Sequence, residues 1–260
     1  MHPVVKFGII ESLLWGCAVG AFANGLEKIT GKVLLLSACV LVGVLLAVYG
    51  QIYQTGADAW PIYAIWAALI FPWVSISRFF ALWVFWLAVS NVALILFWFQ
   101  ADISDHSEFG WGICLLLAML NAMGLLAREV GLQRGVEWLR HRWGQQVLWL
   151  VVVVPLTIPS LLLIIAPSIG GGLFLGAIGL AIGLVVGQYY FRYRRPDLFC
   201  LGLNVSSVSI LLLAFLVTNL GTDFEEAADF LLTGLLVLGV STSAAFVLRR
   251  IAGSLEHHDV

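Results

Sequence analysis

Nine stretches of about twenty mostly apolar residues fill roughly 180 of the 260 positions, and they decide what the chain can become. Twenty helical residues at about 1.5 Å each cover the roughly 30 Å hydrocarbon core of a bilayer. An open strand there would leave its edge N–H and C=O groups unpaired, so each stretch must be a helix. The runs lie at roughly 7–26, 33–52, 60–76, 79–99, 111–127, 147–166, 169–191, 198–218 and 227–248. Apolar residues make up 62% of the chain and Asp, Glu, Lys and Arg only 11%, against about 25% charged in a soluble domain. The connections are too short to fold by themselves. The expected fold is therefore all-α: a polytopic transmembrane helical bundle of about nine spans, forming one integral membrane domain over residues 1–260.

Two spans carry proline. The third is short, opened by Pro61 and interrupted by Pro72, which leaves a re-entrant or strongly tilted segment as the alternative. The sixth, with Pro155, Pro159 and Pro167, is expected to kink. Its weak polar content suggests that it faces lipid.

Short-loop Lys and Arg residues set orientation, because they are held on the cytoplasmic side during insertion. Twelve of the thirteen basic residues follow odd-numbered spans, and only Lys6 lies opposite. The even-numbered connections hold Asp58, then Asp102, Asp105 and Glu108, then Asp223, Glu225, Glu226 and Asp229, with no base among them. The amino terminus is thus expected outside and the carboxyl terminus in the cytoplasm. Ala21-Phe22-Ala23 has the small-residue pattern of a signal-peptidase site, but Glu11 in the preceding apolar run disfavours a leader. A retained first helix is expected.

Residues 128–145 form a connection that is not membrane-spanning. Leu132, Val136, Leu139 and Trp143 fall on one helical face there, with Arg128, Arg134 and Arg140 on the other and Arg142 close by. Two readings stand: a basic amphipathic helix in the lipid headgroup layer, using Arg128, Arg134, Arg140 and Arg142, or a cytoplasmic extension of the fifth span.

Catalytic chemistry is hard to place. Cys17, Cys39, Cys114 and Cys200 all lie in apolar runs, where a thiol behaves as a small hydrophobe. The five histidines sit at termini or in connections, with no metal-ligand spacing. There is no phosphate-binding glycine loop, no His-Glu-x-x-His and no Gly-x-Ser-x-Gly. No metal, cofactor, catalytic residue or nucleic-acid partner is expected, and the chain does not read as an enzyme.

Two polar features remain as a candidate polar or ion site. Glu11 is the one ionisable side chain deep in an apolar span, where a charge costs about 2.5–3.5 kcal/mol. It is either a proton or cation site or a protonated carboxyl bonded to a neighbouring helix. The run from Tyr49 to Trp60 holds Gln51, Tyr53 and Gln54 between Gly50 and Gly56, with Asp58 just after. Helix capping by Asp58 accounts for part of it; a polar solute site would account for Gln51 and Gln54.

The string Gly50-Gln51-Ile52-Tyr53-Gln54-Thr55-Gly56-Ala57-Asp58-Ala59-Trp60 and the later Arg194-Arg195-Pro196-Asp197-Leu198 turn resemble the bacterial polytopic membrane proteins of domain-of-unknown-function family 2157. The resemblance is clearest over about residues 30–100. It implies a multi-pass protein of the bacterial inner (plasma) membrane and carries no catalytic residues with it.

Small residues suggest how the helices meet. Gly172, Gly176, Gly179, Gly183 and Gly187 share one face of the seventh span, and Gly16 and Gly20 repeat the spacing in the first. Such faces let another backbone approach closely. Asn91, Asn121, Asn204, Ser207 and their polar neighbours are expected to hydrogen-bond between helices. Three functions are compatible with this chain: a scaffold or assembly component without turnover, with the bilayer and a membrane-protein partner; a small-solute or proton-linked transport protein using Glu11, Gln51 and Gln54; and, with least support, a lipid-modifying enzyme.

Overall fold

The computed structural model describes residues 3–53, 58–100, 111–166, 172–220 and 227–256. Among these residues the chain forms nine α-helices and no strand. They are α1 (Pro3–Asn24), α2 (Ile29–Tyr53), α3 (Trp60–Ile76), α4 (Phe80–Gln100) and α5 (Gly112–Gln133). A 3₁₀ turn (Glu137–Leu139) then leads to α6 (Arg142–Ile165), α7 (Leu173–Tyr189), α8 (Leu198–Asn219) and α9 (Ala227–Glu256), with a π turn (Tyr190–Arg194) after α7. Eight are long and apolar enough to cross a membrane. The third is shorter, at 17 residues, with Pro61 in its first turn and Pro72 inside it.

Helix ends follow local chemistry. At the end of α5 the Gly135 N–H donates to the Leu132 carbonyl at 3.1 Å and the Val136 N–H to Gly131 at 3.0 Å, with Gly135 at φ +81°. This paired closure stops the helix, and the positive φ suits glycine. Residues 128–145 are therefore not one amphipathic helix. Their first part extends α5, and Leu139 folds back over Gly131, where a Cβ would overlap it. The proposed apolar face is broken between Leu132 and Val136.

The described residues fall into two compact units. The first comprises residues 1–103 and 127–144. Its core joins Leu14 and Ala21 of α1, Leu35, Cys39 and Val42 of α2, Ile70 and Val74 of α3, and Leu82 of α4. Indole donors reach helix carbonyls here: Trp66 Nε1 donates to the Cys39 carbonyl at 2.8 Å, and Trp86 Nε1 to that of Ala67 at 3.0 Å. The Trp66 ring lies on Gly43, where any Cβ would collide with it. Gly20 approaches Leu34, whose Cδ1 would be 3.2 Å from an added Cβ, but nothing lies within 4 Å of Gly16. Only one of those two glycines makes the expected close contact.

The second unit comprises residues 104–126 and 145–260. Trp149, Val152, Val153 and Leu156 of α6 form its centre, packed with Ala118, Leu180, Phe191, Cys200, Leu201 and Ile251. The sixth span is thus a core helix, contrary to the expectation that it faces lipid. In hydrocarbon, a span poor in polar groups can sit inside as readily as outside, since lipid tails are as apolar as leucine. The helix continues through Pro155 and Pro159. The Thr157 and Ser160 hydroxyls donate back to the Val153 and Leu156 carbonyls, both at 2.8 Å.

The glycines of α7 divide by role. Gly176 accepts the Pro159 ring and Gly187 the Trp149 indole, each at a distance that excludes a Cβ. A Cβ on Gly179 would meet Leu115 at 3.1 Å and Leu156 at 3.3 Å, whereas nothing lies within 4 Å of Gly183. Gly172 stands just outside the helix at φ +81° and shapes its start. Gly183 is therefore not a packing residue, although it shares the face.

Gly187→Ala should destabilise the protein by about 1–3 kcal/mol through overpacking against Trp149. Gly183→Ala should be neutral or stabilising by up to about 1 kcal/mol through helix propensity. Thermal unfolding in detergent micelles, followed by circular dichroism, compares the two.

Candidate functional site

The residues proposed from sequence do not gather into an enclosed site. Glu11 and Gln51 are both exposed, and neither side chain hydrogen-bonds another described residue. The side chain of Tyr53 and the whole of Gln54 lie outside the described residues. Asp58 is exposed and does not cap α3: Ala59 holds the N-cap position and makes no side-chain cap bond. Instead the Trp60 N–H donates to Gln100 Oε1 at 3.0 Å, so the far end of α4 satisfies the start of α3. Trp60 also meets Phe97 edge to face, at 5.1 Å between ring centroids.

The basic residues of the 128–145 connection separate too. Arg134, Arg140 and Arg142 are exposed. Arg128 is only 4% exposed and donates from Nη2 to the His141 carbonyl at 3.2 Å. It ties the end of α5 to the start of α6 and is not placed to hold a lipid headgroup. The nearby Phe80 ring lies on Gly144 and meets Trp143 edge to face, at 5.1 Å.

The most developed polar construction lies in the second unit. Asp197, only 6% exposed, sits at the N-cap of α8 and accepts from the Phe199 and Cys200 N–H groups at 3.0 and 3.2 Å. Its other oxygen accepts from Gln145 Nε2 at 2.8 Å and Gln146 Nε2 at 3.1 Å. All four neighbours are donors, so the carboxyl works wholly as an acceptor. One side chain thereby satisfies two orphan amides of α8 and binds the first turn of α6. Further along the same two helices, Trp149 Nε1 donates to Asn204 Oδ1 at 3.0 Å, and the Thr157 and Ser207 hydroxyls lie 3.2 Å apart. The three contacts form a polar seam between α6 and α8.

Beside this seam an open groove of about 940 Å³ runs among α7, α8 and α9. Leucines and valines make up half of its lining, with Gln188, Arg192 and Asn204 among the other residues. The π turn carries Arg192, whose guanidinium lies 5.7 Å from the centre of the Tyr193 ring. Asn204 was expected as packing glue and does that through Oδ1. Asp197, Gln145 and Gln146 were missed. A carboxylate directly before the apolar run at Leu198 is a cap signal, and it was available in the sequence. Its pairing with two amides 51 and 52 residues away was not.

The mean hydropathy of +1.02, the succession of long apolar helices and the exposure of many of their large apolar side chains fit a protein whose solvent is lipid. Residues 1–83 match the family described as Predicted membrane protein (DUF2157). That match starts at the first residue, so it takes in α1, which the resemblance over residues 30–100 left out. It ends within α4, so the Arg194–Leu198 turn lies beyond the part matched to DUF2157. No curated protein and no solved structure matches the chain.

A double-mutant cycle of Gln145→Leu and Asp197→Ala should give a coupling energy of about 1–3 kcal/mol, the range for hydrogen bonds to a charged partner. The measurement is unfolding in detergent with increasing sodium dodecyl sulfate, monitored by tryptophan fluorescence.

Proposed function

We propose that the chain is a membrane assembly component without turnover, in the bacterial inner membrane, and that the outward face of α1 pairs with a second copy of itself. The observation that carries this is the position of Glu11. It lies two turns into an apolar helix on an exposed face, with no partner of its own in the described residues. A carboxyl facing hydrocarbon costs about 2.5–3.5 kcal/mol unless something covers it. A second α1 supplies cover of matching chemistry, because two carboxyl groups can hydrogen-bond each other across a two-fold axis. Gly8, Ser12 and Gly16 flank Glu11 and are also exposed, so the two backbones can come close. The Ser12 hydroxyl already donates to the Gly8 carbonyl at 2.7 Å, so it needs no outside partner.

The same reading puts the amino terminus outside, supported by twelve of thirteen basic residues falling after odd-numbered spans. The transport alternative needs Glu11 and Gln51 to line a shared path. Their separate exposure lends it less support.

Energy transfer between donor- and acceptor-labelled copies in lipid vesicles tests the pairing. Efficiency should rise with protein-to-lipid ratio. Glu11→Leu should weaken association three- to tenfold, equivalent to about 0.6–1.4 kcal/mol. Gly234→Ile, at an exposed and open position of α9, should leave it unchanged. Transfer no greater than for randomly mixed monomers, or equal loss in both variants, would overturn the proposal.

A further inference from the structure

The groove among α7, α8 and α9 has a polarity that runs along its length. At one end are Arg192, Tyr193, Gln188 and Asn204; at the other the lining is Leu212, Leu216 and Leu235. Leu184 and Gln188 line it from α7 and Arg192 from the π turn that follows, so this side of the groove ends in the cation. Along α8 the lining runs from Asn204 to Leu216, about 18 Å of helix at 1.5 Å per residue. One leaflet's share of a hydrocarbon core about 30 Å thick is about 15 Å. The groove is therefore as long as an acyl chain is deep, and it carries its positive charge where a headgroup would lie.

Two side chains point to an occupant. Asn204 is only 3% exposed, and its Oδ1 is committed to the Trp149 indole; the remaining donor, Nδ2, is buried without a hydrogen-bond partner. A buried amide donor of this kind is destabilising unless something accepts from it. Arg192 is half-buried and stacks on Tyr193, and no described carboxylate forms an ion pair with it. The one carboxylate of that turn, Asp197, is taken up by Gln145, Gln146 and the start of α8. The polar end thus offers a cation and an amide donor, both matched to an oxygen-rich anion with an ester beneath it.

We infer that this groove is a specific site for one anionic phospholipid, with the phosphate at Arg192, an ester carbonyl at Asn204 and an acyl chain laid between α8 and α9 towards Leu216. This site is separate from the α1 face and does not depend on pairing there. Gly239 lines the groove with open space above it, so a larger residue there enters the chain's path without meeting protein. Leucine also has better helix propensity than glycine, so Gly239→Leu should fold at least as well as the parent.

The test uses the full-length protein, stripped of lipid in mild detergent and titrated with dioleoyl phosphatidylglycerol or dioleoyl phosphatidylcholine while native mass spectrometry counts bound lipid. The parent should bind one phosphatidylglycerol at least tenfold more tightly than phosphatidylcholine. Arg192→Gln should remove that preference, and Gly239→Leu should weaken both lipids severalfold while the melting temperature holds. Equal binding of the two lipids by the parent would overturn the inference. So would a preference that survives Arg192→Gln, unchanged binding in Gly239→Leu, or inorganic phosphate matching the lipid in thermal stabilisation.

Discussion

Helices that are already in lipid gain little from hiding apolar surface in one another, because the surface they leave is as apolar as the one they enter. What holds such a bundle is close van der Waals contact and the need of each buried polar group for a partner. Both appear at α6. Pro159 and Trp149 fit onto Gly176 and Gly187 of α7, and Asp197, Asn204 and Ser207 of the α8 segment take the polar groups of α6. The first unit uses the same means with different residues: Trp66 lies on Gly43 and gives its N–H to the carbonyl of Cys39, itself in the packed core of α2. An indole over a glycine that also donates to a helix carbonyl or amide does the work that leucine packing does in a soluble protein.

This explains why the architecture was legible in the sequence and the interior was not. Helix number and type follow from runs of apolar residues, and the third helix came out at 60–76 as read, though it is shorter than the eight that can cross a membrane. Which side of a span faces inward does not follow from polarity when the solvent is itself apolar. Hence α6 was placed against lipid and lies in a core. The α7 glycines share one face by spacing alone, yet Gly176 and Gly187 pack while Gly183 does not, because that depends on whether a ring on another helix arrives opposite.

The polar residues divided in the same way. Asp58 and Asp197 both precede a helix, and only Asp197 caps one, because Gln100 Oε1 accepts from the Trp60 N–H instead. Arg128 belongs to the basic face by spacing, but the reversal at Gly135 turns it towards the His141 carbonyl. Glu11 stood out from the start, and what the structure adds is its side: it faces outward, towards lipid or a partner. That placement moves the emphasis from an internal ion path towards association. The lipid groove in the second unit had no counterpart in the sequence reading, since its lining comes from three helices.

The four native thiols report directly on whether close packing holds the bundle. Cys39, Cys114 and Cys200 are buried within it, and Cys17 is half-exposed on α1. Folded protein in mild detergent is treated with a small uncharged thiol reagent, and peptide mass spectrometry follows each cysteine over time. Cys17 should react much faster than the other three, with the difference vanishing in denaturant. Similar rates at all four in the folded protein would contradict a bundle joined by close contact.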